Sequence, residues 1–397
     1  MRILLRWIGA GLRGLGQAWA ILGLTLLLLL LVDHLLRLAL PDPLAAAPFE
    51  SGAVAPARER AAAVAGDDWI GRYWAEHAQA RDTAWRSYVY WRRQPYRGEI
   101  IKIDAHGFRV TARPAEPIQR EIWVFGGSVV WGTGNRDSGT LAAQLQQVYA
   151  ERAPELGVRV LNFGESGYVS RQSLAAFQSA LACSQPAADL AVFLDGANDV
   201  FATLQSRQAG WPQNEDNRRR EFNSSRRFGA QLRAWAMQLE GIGRLLASAP
   251  EALDGAAILR LAADTAAAWA ANVRQAQAIG AAFDVPVMPL WQPTAFDRSP
   301  PRGDEAGIVG ASPADHVRLQ RASSAAVRSL LPLLPAAHDL AGAFDAAAAP
   351  MYFDFVHLSE TGQRLLAERI YELSVDSLRA RPARPRALEA CSDRPLG

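Results

Sequence analysis

Between residues 120 and 378 the chain alternates short apolar runs with segments of helical periodicity. The runs stand at 121–126, 158–164, 189–196 and 284–291, with a weaker fifth at 337–344. Helical patterns follow at about 139–153, 170–183 and 359–378. Apolar runs separated by helices indicate a parallel sheet covered on both faces. With right-handed crossovers, this predicts an α/β fold, a three-layer α/β/α sandwich around a five-stranded parallel sheet.

Polar residues and glycines that suit chemistry come directly after these runs. Ser128 follows the first run, Gly167 the second and Asn198 the third, and the segment 354–357 precedes the last helix. Reacting groups in such sheets lie at the carboxyl ends of the strands. The sequence therefore predicts one site at that edge.

Ser128 is the candidate nucleophile, within the segment FGGSVVWG. Gly126 and Gly127 permit a tight turn after the strand, which projects the serine above the sheet. Val130 stands where a G-x-S-x-G elbow has its second glycine. A classical α/β-hydrolase is therefore disfavoured.

A serine hydroxyl needs a general base, and His357 in YFDFVHLSETG is the best candidate. Asp354 precedes it by three residues, so its carboxylate can reach the ring nitrogen that faces away from the serine. His357 then takes the serine proton during attack and returns it to the leaving group. The other histidines lack such a context and are predicted to be structural or at the surface: His34, His77, His106, His316 and His338.

The third requirement is an oxyanion hole. Backbone N–H groups around Gly167 and the amide of Asn198 are suitable donors, whereas Asp199 is predicted to cap the following helix. Each of these residue types is also common in ordinary turns.

Taken together, the motifs resemble those of the SGNH hydrolases, also called the GDSL family. The resemblance covers about 120–378 and comprises four blocks in the family's order: Gly126-Gly127-Ser128, Asn162 to Gly167, Gly196 with Asn198, and Asp354 with His357. The first block departs from the frequent Gly-Asp-Ser by a glycine, which leaves the serine in place.

The resemblance implies a flavodoxin-like fold and metal-free hydrolysis of esters through a covalent acyl-serine, with no cofactor. It assigns Ser128, Asp354 and His357 to the triad. It assigns Ser128, Gly167 and Asn198 to the oxyanion hole. The family includes lipases, thioesterases, carbohydrate acetyl esterases and acetyltransferases, and the motifs do not separate these.

The N-terminal region predicts a membrane anchor. Residues 14–32 carry no charge and are long enough to cross most of a bilayer. Arg2, Arg6 and Arg13 precede them, so the positive-inside bias puts residues 1–13 in the cytoplasm and the catalytic domain outside, in the periplasm. A cleaved signal peptide is the alternative, although its apolar region would usually be shorter.

Residues 33–95 are predicted to form a Pro- and Ala-rich stalk and then an aromatic-rich helix at about 63–92. Its aromatic rings either stack on sugar rings or pack an amphipathic helix against the main domain. Residues 99–111 alternate like two strands around a turn at His106-Gly107.

The remaining domain, 96–378, contains an insertion at 201–284, a polar loop followed by helices. Such an insertion forms either a lid beside the site or a solvated decoration. An Arg/Pro-rich tail at 379–397 is predicted to be disordered.

Charge and cysteine content exclude other classes of function. A formal net charge of +2 gives no basis for binding nucleic acid, which needs clustered cations. Cys183 and Cys391 form no metal motif. Outside the cytoplasm they could pair as a disulfide, and free thiols are the alternative.

The sequence thus favours an extracytoplasmic esterase that removes a short acyl group, such as acetyl, from a carbohydrate or lipid. An O-acyltransferase that modifies a surface polysaccharide would use the same acyl-serine. A non-catalytic glycan-binding module of a membrane assembly is the alternative outside enzymology. Protein partners are not predicted.

Overall fold

The computed structural model describes residues 2–39, 69–114, 116–183, 187–224 and 252–383. The chain divides into two units. The first comprises residues 1–54 and 216–251, and the second comprises residues 55–215 and 252–397.

The first unit is built on one long helix, α1 (Arg2–Ala39). Its segment Gly14–Leu36 has a mean hydropathy of 2.3, and within it only Asp33 is buried. The helix is long and apolar enough to cross a membrane, and it contains the predicted span at 14–32. A signal sequence near an N-terminus has the same properties, so the helix alone does not distinguish the two.

The second unit contains two small antiparallel sheets and one five-stranded parallel sheet. Its strands are β1 (Thr83–Arg86), β2 (Tyr90–Arg93), β3 (Tyr96–Arg97), β4 (Lys102–Ile103), β5 (Arg120–Gly126), β6 (Val158–Asn162), β7 (Leu190–Asp195), β8 (Val287–Trp291) and β9 (His338–Asp339). Its helices are α2 (Trp69–Gln79), α3 (Ser128–Trp131), α4 (Leu141–Arg152), α5 (Ser170–Cys183), α6 (Ala197–Ser206), α8 (Gly255–Ala282), α9 (Glu305–Ala311), α10 (Ala314–Leu330) and α11 (Glu360–Ala380). Helix α7 (Glu215–Ser224) crosses the boundary between the units.

The parallel sheet has the strand order β6-β5-β7-β8-β9. Its five strands coincide with the five predicted apolar runs, and helices flank it, so the predicted α/β fold is confirmed. Strand β5 lies between β6 and β7 and pairs with both. The candidate residues that follow these three strands therefore come from neighbouring strands.

Burial on both faces explains why the strands read as continuous apolar runs. All residues of β5, β7 and β8 are buried. On one face, Trp123 and Phe125 of β5 pack with Phe177 of α5 and Phe193 of β7. A strand covered on both faces has no position for an exposed polar side chain, which is the pattern typical of parallel sheets.

The aromatic-rich segment before the sheet differs from its prediction. Among the described residues of this segment, from 69 onward, α2 alone is helical, and the predicted helix at 63–92 is wrong for 83–92, which belong to the antiparallel hairpin of β1 and β2. Residues 99–111 do turn back on themselves, through a bridge between Ile103 and Arg109, but the main partner of β4 is β3.

The insertion at 201–284 also differs in part. It begins within α6 and ends at Asp284, two residues after the last residue of α8. The stretch predicted as an exposed polar loop instead contains α7. Helix α8 rests on α6 through a hydrogen bond between the hydroxyls of Thr265 and Thr203, 3.0 Å apart.

Several predicted features lie outside the described residues. These are the stalk at 41–62, the central part of the insertion at 225–251 and nearly all of the tail. Cys391 lies there too, so the two alternatives for Cys183 and Cys391, a disulfide or free thiols, are not tested.

Candidate active site

Ser128 lies where β5 ends and the chain turns into α3. A side chain on Gly126 would overlap the carbonyl oxygen of Leu194 in the neighbouring strand β7, so the tight exit from the sheet requires glycine there. Ser128 is the first residue of α3, and its backbone N–H is among the unpaired donors at that helix start. The hydroxyl therefore stands at the carboxyl edge of the sheet, as predicted.

The structure brings Ser128, His357 and Asp354 into one hydrogen-bonded chain. Nε2 of His357 lies 2.8 Å from Oγ of Ser128. Nδ1 of the same ring lies 2.6 Å from Oδ2 of Asp354. With Nδ1 donating its proton to the carboxylate, Nε2 faces the serine as an acceptor.

A local turn holds Asp354 in this position. Its Oδ1 accepts the backbone N–H of Val356 at 2.9 Å and that of His357 at 2.7 Å. Phe353 stacks on the His357 ring, with centroids 5.8 Å apart and planes 13° apart. The position of the carboxylate and the plane of the imidazole are thus both fixed within one turn.

Charge and hydrogen bonding keep Asp354 ionised. Burial acts to raise the pKa of this carboxyl. The charge of His357 and the hydrogen bonds from its ring, its backbone N–H and that of Val356 outweigh burial, so the pKa of Asp354 lies below its usual value. An ionised carboxylate at Nδ1 stabilises the imidazolium that forms when His357 takes a proton.

The three predicted N–H donors belong to residues that follow strands β5, β6 and β7 at the same edge of the sheet. They are the backbone N–H of Ser128, the backbone N–H of Gly167 and the side-chain amide of Asn198. Gly167 has a φ of +79°, a left-handed conformation that favours glycine. Nδ2 of Asn198 donates to the carbonyl of Tyr168 at 2.8 Å. An amide nitrogen carries two hydrogens, which leaves a second one for a ligand.

Gly127 allows Asn198 to approach Ser128, the candidate nucleophile. A side chain on Gly127 would overlap Nδ2 of Asn198. The amide therefore lies against the residue that directly precedes Ser128. This close approach gives a physical reason for glycine at the position where the resembling family often has aspartate.

Two residues beside the site were missed by the sequence analysis. Gln213 donates from Nε2 to Oδ1 of Asn198 at 3.2 Å and so orients that amide. Trp91 of β2 donates from Nε1 to the carbonyl of Ser166 at 3.0 Å. Its ring lies 3.3 Å from where a Cβ on Gly167 would stand. The sequence analysis predicted an exposed loop around Gln213 and a helix around Trp91. It therefore placed neither residue beside the active site.

A buried ion pair supports the loop that carries Gly167. Glu165 is fully buried and accepts the backbone N–H of Arg93 at 2.9 Å and that of Ser166 at 2.7 Å. The Arg93 side chain pairs with the same carboxylate at 3.4 Å and stacks over Trp131 at 4.0 Å. The β1–β2 hairpin is therefore a structural support of the site.

Two more buried carboxyls lie behind Asn198. Asp199 accepts the backbone N–H of Ser170 at 3.1 Å and its hydroxyl at 2.5 Å, and Asp195 accepts the hydroxyl of Ser173 at 2.8 Å. Asp199 therefore holds the start of α5, besides standing in the first turn of α6, where it was predicted to act as a cap.

Two other histidines, the half-buried His77 and the buried His316, contact aromatic rings. Burial, together with nearby arginines, lowers the pKa of His77 to about 2, and its ring contacts Trp131. Burial lowers the pKa of His316 to about 4, and its ring packs between Phe296 and Phe355. Both are neutral near pH 7 and pack the core.

The arrangement suits nucleophilic chemistry on a carbonyl group. Proton transfer from Ser128 to His357 would generate the nucleophile, and the three N–H donors would stabilise an oxyanion. Within the described residues, no group of three His, Cys, Asp or Glu side chains could hold a metal ion.

Comparison with known proteins points in the same direction. A family model for GDSL-like lipases and acylhydrolases matches residues 122–370, which is more than half of the chain. No curated protein sequence matches the chain.

Three of the similar solved structures have the following values. The acetyl xylan esterase AlAXEase has 12% identity and a TM-score of 0.38, over 64% of this chain and 99% of its own. Axe2, an acetylxylan esterase from Geobacillus stearothermophilus, has 14% identity and a TM-score of 0.37, over 66% and 98%. TesA has 17% identity and a TM-score of 0.37, over 65% and 99%. At these values none of them indicates what this chain binds.

Proposed function

Because this chain belongs to the GDSL-like lipase and acylhydrolase family, the serine hydrolases of ester bonds, we propose that Ser128 is its nucleophile. His357 is the general base and Asp354 orients it. The observation that carries this proposal is the hydrogen-bonded chain from Ser128 Oγ through the His357 ring to the Asp354 carboxylate.

In the proposed mechanism, Ser128 Oγ attacks the ester carbonyl while His357 Nε2 takes the hydroxyl proton. The carbonyl oxygen becomes an oxyanion, which accepts hydrogen bonds from the N–H groups of Ser128 and Gly167 and from Asn198. The intermediate collapses as the imidazolium returns its proton to the departing alkoxide. A water molecule then attacks the acyl-serine while His357 Nε2 takes a proton from it. The imidazolium returns that proton to Ser128 Oγ, and the acid is released.

The substrate is an ester of a short acyl group, such as acetyl, on a carbohydrate or lipid. Low exposure of the reacting groups supports a short acyl group. Ser128 is 3% exposed and His357 is 6% exposed, so neighbouring side chains leave little open surface around the nucleophile. Trp91 and Gln213 crowd the same region beside Gly167.

The enzyme is anchored in the membrane by α1, with its N-terminus in the cytoplasm and its catalytic domain outside, in the periplasm. The apolar segment Gly14–Leu36 supports the span. Arg2, Arg6 and Arg13 come before it and support the orientation.

Hydrolysis of p-nitrophenyl acetate by the full-length chain tests the role of Ser128. Replacing Ser128 by alanine removes the nucleophile, and we expect kcat to fall by about 10⁴-fold or more. The matched control is Ser138→Ala, since Ser138 is an exposed serine in the same region of the chain. Equal rates for wild type and Ser128→Ala would remove Ser128 from the mechanism.

A further inference from the structure

The β1–β2 hairpin carries a row of aromatic rings that leads from solvent to the active site. We propose that this row binds the sugar rings of a polysaccharide and so presents an acyl group on that chain to Ser128. The row consists of Trp85, Tyr90 and Trp91, with Tyr88 at the turn. The proposal rests on the function proposed above and names the substrate class of that site.

The rings contact one another in sequence. Trp85 stacks on Tyr90, with centroids 5.3 Å apart and planes 25° apart. Tyr90 lies beside Trp91, with centroids 6.5 Å apart and planes 32° apart. Trp91 in turn reaches Gly167, where its ring lies 3.3 Å from the position of a Cβ. The inner end of the row is therefore at the proposed oxyanion hole.

The outer rings are exposed although they are large and apolar. Trp85 is 65% exposed and Tyr88 is 85% exposed. The aromatic residues of α2 differ, because Trp69 and Tyr73 are buried and pack a core cluster with Trp131. Core packing accounts for the aromatic residues of the helix. It does not account for the large aromatic rings that the hairpin exposes to solvent.

The backbone of the hairpin adopts unfavourable conformations that present these rings. Tyr88 has a φ of +67° and Tyr90 has a φ of +72°, in a region that side chains other than glycine rarely adopt. The N–H of Trp91 donates to the carbonyl of Val89 at 3.0 Å, which closes a tight turn around Tyr90. Strained backbone of this kind clusters at active sites, ligand clamps and switch regions.

A sugar chain has the chemistry that such a row recognises. A pyranose has a flat face of C–H groups and hydroxyls around its edge. It can lie on an aromatic ring and bury that face while its hydroxyls remain in water. A membrane surface would also receive exposed tryptophan and tyrosine. The observations favour a sugar chain because the row continues inward to Gly167, where an ester group would have to be placed.

The test compares two substrates with the full-length chain in detergent. One is p-nitrophenyl acetate, and the other is O-acetylated xylohexaose or O-acetylated cellohexaose. We expect Trp85→Leu and Tyr88→Ala to lower kcat/KM for the hexasaccharide relative to p-nitrophenyl acetate by about 2- to 10-fold each, through KM. Trp85→Phe keeps a flat ring and is expected to retain most of the wild-type ratio.

The control is Phe283→Ala, which removes an exposed aromatic ring at the end of α8 and should leave the ratio unchanged. An unchanged ratio in the Trp85 and Tyr88 variants would overturn the proposal. So would a wild-type enzyme that hydrolyses p-nitrophenyl acetate but neither hexasaccharide. Quenching of the Trp85 fluorescence by brominated lipid in nanodiscs would assign the row to the membrane instead.

If the wild type hydrolyses neither p-nitrophenyl acetate nor a hexasaccharide, the proposed esterase function fails, independently of the proposed role of the aromatic row. Binding still decides the role of the row in that case. Calorimetric titration of the Ser128→Ala protein with unacetylated xylohexaose and cellohexaose should give binding that Trp85→Leu weakens and Phe283→Ala does not. Absence of any binding, or binding unaffected by Trp85→Leu, would overturn the proposal.

Discussion

At the scale of single residues, Asp354 shows why a D-x-x-H spacing suits this chemistry. One carboxylate oxygen accepts hydrogen bonds from the backbone N–H groups of Val356 and His357. The other accepts a hydrogen bond from Nδ1 of the His357 ring. The same three-residue spacing therefore closes the turn and orients the imidazole ring that we propose as the base. Such a motif occurs by chance in many sequences, and only its approach to Ser128 within 2.8 Å makes it informative here.

Gly127 gives the sharpest prediction at this scale. In Gly127→Ala the new methyl group overlaps Nδ2 of Asn198 and displaces that amide. Loss of one oxyanion donor typically lowers kcat by about 10²–10³-fold. We therefore expect a loss of up to this size in steady-state hydrolysis of p-nitrophenyl acetate, with KM changed much less.

The matched control for that variant is Gly71→Ala. Gly71 lies in α2, and a Cβ there would meet nothing within 4 Å. Alanine is also the better helix former at such a position. If Gly127→Ala and Gly71→Ala show the same kcat, the approach of Asn198 to Gly127 has no catalytic importance.

At the scale of elements, the junction between β7 and α6 holds two buried carboxyls. Burial raises the pKa of Asp199 to about 6. Burial and the neighbouring Asp199 raise the pKa of Asp195 well above its usual value. The junction carries Asn198, so its protonation state bears on the stability of the element that positions this amide.

The pH dependence of stability tests this junction. A carboxyl with a raised pKa in the folded state stabilises the fold only while it is protonated. Its contribution is complete below the unfolded pKa of about 4. The contribution of Asp199 is lost as the pH rises through about 6. Asp199→Asn cannot titrate, so its stability relative to wild type should increase between about pH 4 and pH 7, on the order of 1–3 kcal/mol.

Melting temperatures across this pH range measure the effect. Asp264→Asn is the control for the loss of a carboxyl elsewhere, because Asp264 is exposed on α8 and lies outside this junction. A constant difference for Asp199→Asn would show that the pKa of Asp199 is not raised on folding.

The β1–β2 hairpin is the element that sequence patterns predicted least well. Its aromatic residues recur at three and four positions, which is typical of a helix face, and α2 does follow that rule. Beyond Gln79 the same spacing occurs in a hairpin, where tryptophan and tyrosine are equally favourable. Positive φ values at Tyr88 and Tyr90 have no signature in these residue types, so the hairpin could not be predicted from them.

At the scale of the whole molecule, the parallel sheet was predictable because each strand is buried on both faces and therefore reads as an apolar run. The site was predictable to the extent that its residues directly follow those runs, as Ser128 and Asn198 do. Trp91 and Gln213 come from segments outside the alternating pattern. Tertiary contacts alone bring them to Gly167, and a local pattern carries no information about such contacts.

The central claim is that Ser128 is the nucleophile of an acyl-serine mechanism, and covalent labelling tests it most directly. A fluorophosphonate probe reacts with an activated serine, and trypsin then releases the peptide 121–136, in which Ser128 is the only serine. We predict that mass spectrometry finds the label on Ser128 in the folded full-length chain, and that His357→Ala slows labelling severely. A folded, esterolytically active chain with the probe on another residue, or with no label on Ser128, would contradict the account.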